Sequence, residues 1–187
     1  MRTSLRLEGG PKSGARISPL HLLEAGEYSL DANVVVDFYK ADHLPLLSRL
    51  LPRRLLMSDL VAAELAEANI YYPDPAVITF DSDEAWELLG EIRSSVSSLG
   101  IGEIAALVVA KLNGVGILTN DRHARIKAGA LGIGAVGSLG LLEDAVDLGY
   151  LSPASACTTL DRIVTAGAWI SNDLVAAFRD QMNRRNV

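Results

Sequence analysis

"GVGILTNDRHARIK", residues 114–127, climbs in hydrophobicity and then breaks on a carboxylate. Val115, Ile117 and Leu118 read as a short buried strand. Asn120 and Asp121 follow, and Arg122, His123, Arg125 and Lys127 enter a helical stretch. A strand that ends on Asn-Asp has a plain structural reading, in which either residue caps the next helix and satisfies its free N–H groups. It has a functional reading only if other carboxylates reach the same place. The rest of the chain decides.

Working outward, strands and helices alternate. "YSLDANVVVDFY" (28–39) reads either as a strand entering a helix at Asp31 or as one longer strand, because Val34 to Val36 are β-branched. "LPLLSRLL" is a short amphipathic helix, "RRLLMS" a strand, and "SDLVAAELAEAN" a helix capped by Ser58 or Asp59. After "YYPDP" come the strand "AVITF" and the helix "SDEAWELLGEIRSSVSSL". "GEIAALVVAKLNG" is apolar nearly all round, which predicts a buried helix, and it runs directly into the "VGILT" strand. "ARIKAGALG", "IGAVG" and "SLGLLEDAVDLG" continue as helix, strand and helix. Residues 151–187 form two helices broken near Gly167, and no internal repeat is visible. This alternation implies an α/β fold of three layers, α/β/α, with a central parallel sheet and a C-terminal helical pair. In such sheets the functional site lies at the carboxyl ends of the strands.

Composition sets the bounds. At 187 residues, 49% apolar and 21% charged, the chain suits one soluble domain with a real core. The Gly- and Ser-rich start reads as a flexible arm over 1–27, leaving 28–187 as the folded domain. Cys157 is alone, which excludes an intrachain disulfide framework and a cysteine zinc site. No apolar run reaches the ~18 residues of a membrane span. "ISPLHLLEAGEY" is too interrupted for a signal peptide, so a cytoplasmic location is expected. The net charge of −6 argues mildly against an open nucleic-acid platform. A site built of acids with a local basic rim remains compatible with it.

Four acids fall where strands end or the following helices begin. Asp31 follows the first strand and Glu64 lies in the helix after the second. Glu103 opens the buried helix, and Asp121 ends "VGILT". Hard divalent cations such as Mg²⁺ take oxygen ligands of this kind. Such ions activate water and stabilise the leaving oxygen in phosphodiester cleavage. Singly, each acid is also a cap, a helix-dipole partner or a solvated charge. The set of four is what points to chemistry.

"SLDANVVVDF", "SDLVAAELAE", "GIGEIAALVVA" and "ILTNDRHARIKA", in that order and spacing, resemble the successive motifs of PIN-domain nucleases. The resemblance runs from about Tyr28 to the C-terminus. "GAVGSLGLLEDAVDLGYLSP" and "GAWISNDLVAAF" are similar to a toxin-like branch related to VapC proteins. The resemblance implies a metal-binding cluster of Asp31, Glu64, Glu103 and Asp121, supported by Asn33 and Thr119. It implies cleavage of RNA with Mg²⁺ or Mn²⁺, and pairing with an antitoxin protein. Two departures stand out: Glu103 where many relatives carry Asp, and Arg122 rather than a further acid after Asp121.

Rival readings share these segments. Gly100, Gly102 and Ala105 satisfy G-x-G-x-x-G/A, with Asp121 near the distance of a ribose-binding acid. Against a dinucleotide site, the stretch before the motif is helix-like, and Glu103 puts a carboxylate where pyrophosphate belongs. A haloacid-dehalogenase-type phosphatase could use Asp31 as nucleophile but meets Asn33 where a second Asp belongs. A catalytically silent binding protein is the third alternative. Arg122, His123, Arg125 and Lys127 are candidate RNA contacts, or simply a solvated helix face. His21, His43 and His123 share no ligand spacing. Trp86 and Trp169 read as core or interface anchors on helix faces. Trp169 and Phe178 in the C-terminal pair suggest a homodimer interface.

Overall fold

The computed structural model describes residues 26–51, 55–73 and 75–185. The arm expected over 1–27 lies, up to residue 25, outside the described residues, and so does His21. In chain order the elements are β1 (Tyr28–Leu30), α1 (Ala32–Lys40), α2 (Leu44–Leu50), β2 (Leu55–Ser58) and α3 (Asp59–Glu67). Then come β3 (Ala76–Ile78), α4 (Asp83–Ser95), α5 (Ile101–Asn113), β4 (Gly116–Leu118) and α6 (Arg122–Ala130). The chain closes with β5 (Ala135–Val136), α7 (Ser138–Asp147), α8 (Pro153–Thr165) and α9 (Asn172–Arg185).

The five strands form one parallel sheet in the order β3-β2-β1-β4-β5. β1 is therefore central, paired to β2 on one side and to β4 on the other, with Ser29 opposite both Leu56 and Ile117. Strand alternation divides the core. Leu30, Leu55, Met57 and Leu118 face a cluster with α1, α2, α7, α8 and α9. Leu56 and Ile117 face a second cluster with α4, α5 and α6. This is the three-layer α/β/α arrangement expected from the alternation of elements.

The ambiguous first segment resolves as strand then helix. Asp31 is the N-cap of α1 in extended conformation, and Val34 and Val35 in the helix are fully buried. Packing of that face outweighs the small helix penalty of β-branched residues. The expected all-round apolar helix is α5, in which Ile104 to Ala110 are all buried. It ends on Gly114 at φ 65°, a left-handed position that glycine takes without a Cβ penalty. Ser58, not Asp59, caps α3 by accepting the Val61 N–H.

Candidate metal centre

Parallel β1 and β4 end side by side, which brings Asp31 beside Thr119, 88 positions away. The Asp31 N–H bonds the Leu118 carbonyl at 3.1 Å. Asp31 Oδ2 accepts two short hydrogen bonds of 2.6 Å, one from Thr119 Oγ1 and one from Asn33 Nδ2. Asp31 is only 2% exposed, so its ionised form is poorly solvated. Burial pushes its carboxyl up to about 7. The Thr119 hydrogen bond opposes that, while the charges of Glu103 and then Glu64 push further upward. These three acids therefore share one field.

Glu64 and Glu103 meet at the first turn of α5. Glu64 is exposed overall, yet its carboxylate end lies on Gly102: a Cβ there would stand 2.5 Å from Glu64 Oε2. The Glu103 carboxylate folds back over Gly100 in the same way. Partial burial first, then Glu103 and Glu67, hold the Glu64 carboxyl above its ordinary range. The two glycines are thus clearances for carboxylates. The segment before them is the helix α4 and its following loop, not the buried strand that a dinucleotide fingerprint needs.

Gly102→Ala separates site from scaffold. Alanine should favour α5 by about 1 kcal/mol, and only the flexible end of Glu64 has to move. The expected result is unchanged or higher thermal stability, with the RNA cleavage expected from the sequence reduced about tenfold or more if these acids hold a metal. Wild-type activity in Gly102→Ala would detach Glu64 from the reaction.

Asp121 reaches the cluster through Thr119. The Thr119 hydroxyl donates to Asp31 and accepts the Asp121 N–H at 3.1 Å. Asp121 Oδ1 accepts the Ala124 N–H at 2.7 Å, so it is the N-cap of α6. Asn120 is not a cap. Its Nδ2 donates to Asp37 Oδ2 at 2.6 Å and to Ser138 Oγ at 2.8 Å. Its Oδ1 accepts the Ser138 N–H at 2.8 Å, and its own N–H bonds Asn33 Oδ1 at 3.1 Å. One amide thereby ties the end of β4 to α1 and to the start of α7. Asp37 is buried, and burial pushes its carboxyl up to about 6 against hydrogen bonds from Asn120 and Ser138 and the charge of Lys40.

The basic residues divide. Arg122 and His123 are exposed at the start of α6, directly behind Asp121. Arg125 Nη1 lies 3.4 Å from the Thr119 carbonyl oxygen. Lys127 donates to Ser95 Oγ at 2.7 Å, on the last turn of α4. His43 is half-buried between the Ala41 carbonyl and Thr159, away from the acids. A cavity of about 580 Å³ lies at the amino ends of β1 and β4 around Tyr28 and Gly116, opposite the acids.

Among the described residues no three His, Cys, Asp or Glu side chains are grouped closely enough to hold a metal ion. In chemistry the donor set suits a hard divalent cation: all four are carboxylates, and the charges of Glu103 and Glu64 raise the cost of Asp31's. The glycine clearances give two of those carboxylates room beside α5.

A parallel α/β/α sheet with acids gathered at its central carboxyl edge is the architecture of a PIN domain, a fold of nuclease type. The family profile DUF3368, described as a PIN domain, matches residues 28–184, and the chain belongs to that family. In structure it is similar to a PilT N-terminus domain protein, SSO1118, from the hyperthermophilic archaeon Sulfolobus solfataricus P2. The identity is 11%, the match covers 78% of this chain and 98% of that one, and the TM-score is 0.46. None of the curated proteins matches the chain. Among the described residues no helix is long and apolar enough to cross a membrane.

Proposed function

We propose that this PIN domain is a metal-dependent endoribonuclease, with Asp31, Glu64, Glu103 and Asp121 holding Mg²⁺ or Mn²⁺. The observation that carries the reading is buried Asp31 standing in the field of Glu103 and Glu64, whose charges raise the cost of its own, a cost that a bound cation would offset. Bound there, the ion supplies Lewis acidity and a water acidic enough to attack a phosphodiester. Thr119 and Asn33 hold the Asp31 carboxylate in one orientation. Glu64 and Glu103 place further oxygens from α3 and α5. Arg122 offers the phosphate backbone positive charge at the rim, and His123 beside it offers a ring nitrogen for hydrogen bonding. An antitoxin partner and a symmetric homodimer belong to the same proposal, and light scattering with the native partner or alone tests them.

The direct test is RNA cleavage with Mg²⁺ or Mn²⁺, abolished by EDTA and restored by metal. Asp121 sharpens it because its side chain also caps α6. Asp121→Asn keeps the cap, since Asn caps as well as Asp, and should keep stability while losing cleavage. Asp121→Ala should lose cleavage and about 1 kcal/mol of stability. Full cleavage by Asp121→Asn would leave the residue a cap only.

A further inference from the structure

The carboxyl edge of the sheet continues past the acids into a groove of about 270 Å³ between the start of α7 and the linker that joins α8 to α9. Asn120, Arg125, Gly137 and Trp169 line it. Trp169 is 97% exposed, standing in the linker after Gly167, whose φ of 99° turns the chain out of α8. The indole is almost wholly in water and so is free to meet a ligand. Gly137 lets the opposite wall close: a Cβ there would stand 2.6 Å from Asn120 Oδ1 and 3.1 Å from Arg125 Nη1. The guanidinium is thereby seated on the groove floor, facing the same space as the indole.

Three observations choose the occupant. The groove adjoins the acid cluster, because Arg125 lines it and its Nη1 lies 3.4 Å from the carbonyl oxygen of Thr119, whose hydroxyl holds Asp31. Its charged group is a cation in a chain whose net charge is −6. Its volume falls below the roughly 300–1,000 Å³ of pockets that enclose a whole small molecule, which suits a single base.

We propose that Trp169 stacks on a nucleobase flanking the phosphodiester presented to the acids, while Arg125 meets the neighbouring phosphate. This rests on the nuclease reading and assigns that site a substrate-positioning platform. Aromatic stacking binds single strands with little sequence preference, at about 1–3 kcal/mol per base. The platform therefore favours unpaired RNA over duplex.

Trp86 and Trp169 are the two tryptophans, so a Trp86→Phe background makes the indole fluorescence report Trp169. In that background with Asp31→Asn added, a single-stranded RNA 12-mer should quench the emission, and an RNA duplex should quench it far less. With Asp31 restored, Trp169→Ala should raise KM roughly 5- to 100-fold, from the stacking energy, with kcat little changed. Trp169→Phe should recover most of the loss. RNA cleavage with an unchanged KM in Trp169→Ala, or binding without quenching, overturns the platform and leaves the nuclease standing. A Trp169→Ala protein that passes from dimer to monomer assigns the indole to a second copy, and the platform also falls. Wild-type protein that neither binds nor cleaves RNA with Mg²⁺ or Mn²⁺ overturns the nuclease reading and the platform together.

Discussion

Asp31→Asn is expected to abolish RNA cleavage while leaving the metal-free protein as stable as wild type or more so. The two effects have one origin. Asp31 is buried, and Glu103 and Glu64 raise the cost of its charge further. The asparagine carbonyl still accepts from Thr119 Oγ1 and Asn33 Nδ2, so the hydrogen-bonded frame survives. What disappears is a buried negative charge, and with it the anionic oxygen that the proposed metal would need. Loss of even an outer partner of a metal ligand costs about 10–100-fold, so loss of a central acid should exceed that. Cleavage assays with Mn²⁺ and thermal melts in EDTA measure the two halves separately. Lowered stability together with retained cleavage would mean that Asp31 serves only the fold.

The second large effect lies outside the site. Asp144, on the α7 face turned into the core, is 1% exposed, and among the described residues neither carboxylate oxygen has a hydrogen-bond partner. Burial pushes its carboxyl up to about 7, and Asp147 and Glu143 add to this against the pull of Arg185. Arg185 is itself paired with Asp147 at 2.8 Å. The Tyr28 hydroxyl, raised first by burial and then by Asp144, faces the same charge. An acid lifted from 3.8 to about 7 favours the folded state fully only below pH 3.8. That contribution is lost progressively as pH rises through 7. Asp144→Asn stays neutral at every pH. Its stability gain should be near zero at pH 4 and reach about 2–4 kcal/mol at pH 8. For a chain of this size that raises Tm by about 5–15 °C. Urea unfolding of both proteins at pH 4 and pH 8 measures it. A gain that is equal at the two pH values, or absent, would show that Asp144 is paired in solution.

Much of this architecture was legible in the residues because the helices and strands carry clean periods. α5 announced its burial by being apolar all round, and the turn at Gly167 by its glycine. The rule that parallel sheets act at their carboxyl ends was enough to draw Asp31 and Asp121 to one edge. Less legible was anything that depends on contact between elements. The Glu64–Gly102 approach joins α3 to α5, and no local pattern encodes it. Asp37 and Asp144 each carried a signal: an acid at helical spacing among buried neighbours, Val34 and Phe38 in one case, Leu141 and Ala145 in the other. Read that way, both mark polar groups inside the core. Trp169 misled for the opposite reason. A helix face was expected for it, but the chain has left α8 before reaching it, so it stands in water while Phe178 fills the core.

The pairing of β1 with β4 has a consequence for the order in which the molecule comes into being. Asp31 and Thr119 are 88 positions apart, and closing a loop of that length costs about 4 kcal/mol of chain entropy. β1 and β2 can pair early, since the chain between them is short. The half of the cluster supplied by Thr119 and Asp121 does not exist until nearly two-thirds of the 187 residues have been made. A chain growing from its N-terminus thus carries Asp31 through 88 further positions before Thr119 is there to orient it. The proposed site is therefore complete only once β4 has been made and paired with β1.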